Sequence, residues 1–129
     1  MEFRIIVEQK YLINTKGLTR SQDNTLIVLA GPTAVGKTAC SLSLAKTLKA
    51  EILSADSRQL YREMSVGTAK PGADELNLVK HHFIDHISIH TAYDVAQYEK
   101  EVLLFLDNYF LNRSTAILTG GTGLYIKAI

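Results

Sequence analysis

Residues 31–38 (GPTAVGKT) combine residue types that can bind a phosphate group. The segment matches G-x-x-x-x-G-K-[ST] at every fixed position. Its two glycines tolerate backbone angles that other residues resist, so the N–H groups of the loop can turn toward phosphate oxygens. The lysine adds a positive charge for a terminal phosphate, and the threonine offers a hydroxyl to a bound Mg²⁺. The spacing therefore predicts a phosphate-binding loop made of Gly31, Pro32, Thr33, Ala34, Val35, Gly36, Lys37 and Thr38.

Asp56 is a second candidate, because it follows a short apolar segment within SADSRQLY. A carboxylate at a strand end could act as a general base, or could hold a metal ion through water. It could equally cap the turn that follows it, since aspartate often accepts hydrogen bonds from the next backbone N–H groups. The position alone leaves both interpretations open. Arg58, Gln59 and the Lys70 of GTAKP add donors that could contact a base or a phosphate.

Two further groups of residues lie near the candidate loops. The turn at residues 120–123 (GGTG) could present backbone N–H groups or the Thr122 hydroxyl to a ligand, or it could be only a tight connection. Four histidines are close in sequence, but their spacing does not suit a metal site and no cysteine supports one. A structural hydrogen-bonding role is therefore predicted for His81, His82, His86 and His90.

The elements that must position these residues alternate between strands and helices. Short apolar runs, typical of strands buried on both faces, predict strands over residues 25–30, 51–55, 82–87 and 115–119. Three- and four-residue apolar spacing and loop boundaries predict helices over residues 37–49, 73–80, 94–111 and 124–129. The alternation indicates an α/β fold with a parallel sheet and helices on both faces. The loops after the strands should converge on one crevice at the carboxyl edge of that sheet.

Composition limits the class of protein. The chain has 129 residues, 47% of them hydrophobic, a net charge of +1 and one cysteine, Cys40. These values fit one globular domain without an internal disulfide, and they lack the basic excess of a dedicated nucleic-acid binder. No apolar run is long enough for a membrane span and no signal peptide is evident, so a cytoplasmic location without membrane contact is expected.

Residues 1–24 follow a different pattern from the rest. They end in the polar run RSQDN and show no strand-turn-helix order. We expect a loosely held N-terminal extension with one short strand around residues 3–7. The domain proper is then predicted to occupy residues 25–129.

The ordered motifs GPTAVGKT, SADSRQLY, GTAKP, HHFID, YDVAQYE and TGGTGLYIKAI resemble the N-terminal part of bacterial tRNA dimethylallyltransferases. The resemblance covers about residues 25–129. It implies a fold like that of the P-loop NTPases, and transfer of a dimethylallyl group from dimethylallyl diphosphate to the exocyclic amine of the adenine beside the tRNA anticodon. DSRQLY and GTAKP carry most of the specificity, because many kinases share the phosphate loop.

The resemblance also implies roles for individual residues. Asp56, Lys37 and Thr38 would be catalytic, with Asp56 as the base for the adenine amine. The loop at residues 31–38 would bind the diphosphate, and Thr38 would contact Mg²⁺. Contacts to the anticodon stem-loop would come from Asp56, Ser57, Arg58, Gln59 and Thr122.

Three expectations remain from the sequence. The family's chains continue well beyond Ile129, so the fold should be incomplete at its C-terminus and the fragment should show little activity alone. A monomer is expected. The alternatives are an ATP-binding small-molecule kinase, which the phosphate loop alone would suggest, and an adenylate isopentenyltransferase.

Overall fold

A five-stranded sheet with helices on both faces forms the framework of the chain. The computed structural model describes residues 4–11, 24–31, 36–65, 70–121 and 123–129. The strands are β1 (Arg4–Tyr11), β2 (Asn24–Ala30), β3 (Glu51–Ser54), β4 (His81–His82) and β5 (Thr115–Gly120). The helices are α1 (Lys37–Leu48), α2 (Ala73–Leu78), α3 (Val95–Tyr109) and α4 (Gly123–Ala128).

The strand order across the sheet is β1-β2-β5-β3-β4. Strands β2, β5, β3 and β4 pair in parallel, which confirms the predicted parallel sheet. The edge strand β1 pairs with β2 in the antiparallel direction. The short strand predicted around residues 3–7 is therefore longer than expected and belongs to the sheet. The assignment of residues 1–24 to a separate extension stays a prediction, and residues 12–23 lie outside the described residues.

Helices cover both faces of the sheet, as predicted. Along β2, Leu26 and Val28 face the cluster that α3 and α4 complete, whereas Ile27 and Leu29 face α1. This alternation places side chains of successive residues on opposite sides of a strand. Because both faces are buried, the strand reads as a continuous apolar run instead of an alternating one.

Helix α3 is fastened to the sheet by two tyrosine hydroxyls. The buried Tyr98 donates a hydrogen bond of 2.8 Å to the carbonyl of Ser54, at the end of β3. Tyr109 donates to the carbonyl of Thr115 and accepts from the N–H of Glu51, at 2.7 and 3.0 Å. At the start of α3, Asp94 is the N-cap and accepts a hydrogen bond from the N–H of Gln97. These contacts fix the ends of β3 and β5 against one helix.

The prediction of a strand over residues 82–87 was wrong for most of its length. Strand β4 contains only His81 and His82, because Phe83 and Asp85 adopt positive φ angles of 63° and 51°. That conformation ends an extended strand. It also lets the Phe83 ring turn into the core, where it packs beside Tyr98. His82 and His86 consequently do not share a strand face.

The remaining predicted boundaries differ from the observed ones by at most two residues at either end. Helix α2 ends at Leu78 instead of residue 80, and β5 extends to Gly120. The longest helix that the structure describes has 15 residues, and none of the described helices is long and apolar enough to cross a membrane.

Gly120 marks a close approach between two strand ends. A Cβ atom at this position would overlap the carbonyl group of Ala55, which follows β3. Only glycine fits there without a shift of backbone. By contrast, a Cβ atom at Gly123, at the start of α4, would meet no heavy atom within 4 Å.

We therefore expect Gly120→Ala to lower the free energy of unfolding by about 1–3 kcal/mol, the usual cost of overpacking a filled site. Gly123→Ala is the matched control and should leave stability unchanged or raise it by up to about 1 kcal/mol. Urea denaturation of both variants measures the difference. Equal stabilities would show that the ends of β3 and β5 can separate freely.

Candidate functional site

A cavity of about 320 Å³ opens at the carboxyl edge of the sheet. Residues that follow β2 and β3, and the last two residues of β5, contribute to it, so these strand ends converge as the topology predicts. The lining includes predicted site residues from three separate segments: Gly36, Lys37, Thr38, Asp56 and Gln59, joined by Gly120 from the glycine turn.

The phosphate loop leads directly into helix α1. Gly36 has a φ angle of 86°, in the left-handed region that glycine adopts without strain, and it forms the N-cap of the helix. Its carbonyl accepts the hydrogen bond of the Cys40 N–H at 3.1 Å, which closes the first helical turn. The N–H groups of this turn and the positive end of the helix dipole favour an anion here. Residues 32–35 of the predicted loop lie outside the described residues.

Lys37 is half-buried beside this helix start. Its ammonium donates a hydrogen bond to the carbonyl of Gly31, at the end of β2. Burial lowers the pKa of Lys37, and the negative charge of Asp56 partly opposes that effect. An anion bound in the cavity would therefore gain a partly desolvated cation whose charge water screens weakly. Thr38, the next residue, is exposed and lines the same cavity.

Asp56 caps the turn that follows it and also lines the cavity. Its Oδ1 accepts hydrogen bonds from the N–H groups of Arg58 at 2.9 Å and Gln59 at 3.4 Å, so it caps the turn. The residue is only 7% exposed, yet it lines the cavity with Lys37. The turn thus holds the Asp56 carboxylate at the lining of the cavity, where it can contact a bound ligand.

The other predicted contact residues are arranged differently. The Gln59 side chain lines the cavity and accepts a hydrogen bond of 2.9 Å from the Ser54 hydroxyl. Arg58 is exposed, and neither Ser57 nor Arg58 is among the cavity-lining residues. Thr122 lies outside the described residues. The functional role of each of these residues stays a prediction.

The glycine turn packs against the phosphate loop. A Cβ atom at Gly121 would lie 3.3 Å from the carbonyl oxygen of Gly31 and 3.5 Å from the ammonium of Lys37. The turn after β5 is therefore a structural neighbour of the phosphate site. This closeness favours the small residue at position 121.

Sequence reasoning missed several residues that line the cavity. Ser54 and Thr119 could have been found, because Ser54 lies two residues before Asp56 and Thr119 directly precedes the glycine turn. No sequence signal distinguishes three further residues, one within α2, one within the short strand β4 and one just after β4. These are Glu75, His81 and Ile84.

The rings of His81, His82 and His86 form hydrogen bonds, as predicted, whereas His90 donates through its backbone N–H to the Ser88 hydroxyl. His82 contacts the Glu51 carboxylate at 2.6 Å, and His86 contacts Glu101 at 2.7 Å. The ring of His81 donates from Nδ1 to the carbonyl of Val79 at 2.8 Å, and burial lowers the pKa of His81. Within the described ranges, no group of three or more potential ligands is placed to hold a metal ion.

Comparison with known proteins agrees with the motifs. The family model for IPP transferase matches residues 59–129. A curated relative, the tRNA dimethylallyltransferase of Christiangramia forsetii, is 52% identical over 106 residues, covering 82% of this chain and 35% of the relative.

Two solved structures share the fold. The full-length tRNA isopentenylpyrophosphate transferase of Bacillus halodurans is 43% identical with a TM-score of 0.69, over 78% of this chain and 33% of that protein. A eukaryotic dimethylallyltransferase acting on tRNA is 28% identical with a TM-score of 0.73, over 80% of this chain and 25% of that protein.

The chain thus spans about a third of the length of the curated relatives that it matches. The family match nevertheless covers more than half of the chain itself. Fold, motif order and sequence identity agree in this assignment, and the chain belongs to the IPP transferase family.

Proposed function

We propose that this chain supplies the diphosphate-binding and base-bearing part of a tRNA dimethylallyltransferase. The observation that carries the proposal is that Lys37 and Asp56 line one cavity although they follow different strands. The reaction needs both charges. A cation stabilises the departing diphosphate, and a carboxylate accepts the proton that the attacking adenine amine loses.

The proposed reaction balances within this cavity. The exocyclic nitrogen of adenine forms a bond to the terminal carbon of the dimethylallyl group, and the bond from that carbon to the diphosphate oxygen breaks. The electron pair leaves with diphosphate, near Lys37 and the first turn of α1. The amine proton passes to Asp56. The transfer consumes no oxidant or reductant.

The donors present fit a magnesium ion. Mg²⁺ prefers oxygen ligands, and the Thr38 hydroxyl and the Asp56 carboxylate both line the cavity. We propose that Thr38 holds the ion directly and that Asp56 contributes through water. When bound, the ion would neutralise charge on the leaving diphosphate.

The partner and location follow from the proposed substrate. An anticodon stem-loop would present its adenine to the Asp56 side of the cavity, with Ser57, Arg58, Gln59 and Thr122 as the proposed contacts. A tRNA substrate would place the protein in the cytoplasm, where the free thiol of Cys40 is chemically compatible with a reducing environment. We propose that it acts as a monomer.

The diphosphate site can be tested on the 129-residue chain by calorimetric titration. With Mg²⁺ present, dimethylallyl diphosphate should bind more tightly than ATP. Lys37→Ala should weaken diphosphate binding by about tenfold to a hundredfold, because a charge-assisted contact of roughly 1.5–3 kcal/mol is lost. The exposed Lys46→Ala is the matched control and should bind like the original chain. Tighter binding of ATP would favour the kinase alternative.

The acceptor can be tested in a chimera in which residues 25–129 replace the matching segment of the Christiangramia forsetii relative. Incubated with Mg²⁺ and dimethylallyl diphosphate, the chimera should prenylate an anticodon stem-loop that carries the target adenine. Free AMP should remain unmodified. Transfer to AMP without transfer to RNA would instead identify an adenylate isopentenyltransferase.

The role of Asp56 can be separated from its structural role. Asp56→Asn retains an oxygen that can accept the Arg58 N–H but removes the basic carboxylate. In the chimera it should lower kcat by about a hundredfold or more, the usual contribution of a general base, with diphosphate affinity changed only a few-fold. Asp107→Asn, at an exposed position of α3, is the control. An unchanged kcat would remove Asp56 from the mechanism.

A further inference from the structure

The Asp56 carboxylate depends on the backbone of the turn that follows it. Its Oδ1 accepts from two N–H groups of that turn, those of Arg58 and Gln59. A displacement of the turn would therefore move or release the carboxylate.

The turn rests on the loop that follows β4. The N–H groups of Asp85 and His86 donate to the carbonyls of Gln59 and Leu60, at 2.9 and 2.7 Å. In the other direction, the N–H of Arg62 donates to the carbonyl of Ile87 at 3.0 Å. Residues 59–62 and 85–87 therefore form a small, irregular ladder outside the main sheet.

The Lys70 ammonium joins the two sides of this ladder. It donates to the carbonyl of Tyr61 at 2.6 Å on one side and to the Asp85 carboxylate at 2.6 Å on the other. A third contact, to the Ser65 hydroxyl, measures 3.3 Å. The three donors of an ammonium group match these three acceptors. The Lys70 side chain is 9% exposed, and loss of its ammonium would remove a donor from the Tyr61 carbonyl and the paired cation from the Asp85 carboxylate.

Lys70 does not line the cavity, although Pro71 beside it does. From the sequence, Lys70 is a candidate donor to a base or a phosphate. Its ammonium instead contacts protein groups on both sides of the ladder. Lys70 therefore cross-links residues 59–62 to residues 85–87, next to the turn that holds Asp56.

We propose that Lys70 is a positioning residue for Asp56, acting through the ladder of residues 59–62 and 85–87. The effect on transfer rests on the proposed function of Asp56, but the effect on the turn does not. Removing the ammonium loosens the turn and lets the carboxylate leave its place beside Lys37. The first turn of α1 keeps its structure, because none of these contacts involves β2 or α1.

Hydrogen exchange of the 129-residue chain, followed by NMR, tests the positioning directly. In Lys70→Met, the amides of Arg58, Gln59, Asp85 and His86 should exchange about tenfold faster, whereas the Val102 amide within α3 should keep its protection. Lys100→Met, which removes an exposed lysine from α3, is the matched control and should change none of these rates. Unchanged exchange at Arg58 and Gln59, or an equal increase at Val102, would overturn the proposal.

Asp85→Asn provides a second variant should Lys70→Met fail to fold. It removes the ion pair and retains the Tyr61 contact, and the Asp85 side chain is half exposed, so the substitution is milder. Its exchange at Arg58 and Gln59 should lie between the original chain and Lys70→Met. Protection equal to that of the original chain would count against the cross-link.

Activity of the chimera then separates the two levels of inference. Lys70→Met should lower kcat about tenfold with the diphosphate Kd changed less than about threefold, and it should have little further effect in an Asp56→Asn background. Multiplicative losses, or a Kd that rises as far as kcat falls, would assign Lys70 to ligand binding. An inactive original chimera would contradict the proposed function alone, because the exchange result stands without it.

Discussion

The electrostatic relation between Lys37 and Asp56 is the constraint on which the site depends. Lys37 begins the helix after β2, Asp56 precedes and caps the turn after β3, and both residues line the same cavity. Burial alone disfavours the charge of Lys37, while Asp56 opposes that effect. The ammonium also donates to the Gly31 carbonyl, so it is held close to the loop. A diphosphate would replace that carbonyl with a stronger, fully charged acceptor.

The rest of the fold keeps these two groups in register. Parallel pairing of β2, β5 and β3 brings their carboxyl ends to one edge, and Gly120 lets the ends of β5 and β3 approach closely. Tyr98 donates a hydrogen bond to the carbonyl of Ser54, the last residue of β3 and two residues before Asp56. The ladder of residues 59–62 and 85–87, which Lys70 cross-links, supports the turn after Asp56. Lys37 and Asp56 are therefore held by different elements, so the functions proposed for the two residues should respond to different substitutions.

Much of this arrangement could be predicted from local sequence. The phosphate loop, the buried strands and α3 each carry a strong signal, because glycine spacing, apolar runs and helical periodicity reflect short-range physics. Asp56 could be placed at a strand end, and the structure shows that its capping and cavity-facing interpretations are compatible. The family resemblance, carried by DSRQLY and GTAKP, is confirmed by the comparisons.

Other features depend on contacts that sequence does not display. The strand predicted over residues 82–87 fails because Phe83 turns into the core, an outcome decided by tertiary packing. The same turn carries Ile84 to the cavity. The contact between Lys70 and Asp85 has no sequence signal, because the two residues lie 15 positions apart and meet through the loop after β4, where Phe83 and Asp85 have positive φ angles. The pairing of β1 with β2 likewise joins segments that no local pattern connects.

The most direct measurement of the central claim is a crystal structure of this chain with Mg²⁺ and dimethylallyl thiolodiphosphate, an analogue that resists transfer. The diphosphate should lie against the first turn of α1 with the Lys37 ammonium on its terminal phosphate, and the reactive carbon should face Asp56. A diphosphate bound away from Lys37, or a dimethylallyl group directed away from Asp56, would contradict the assignment of this cavity as the transfer site.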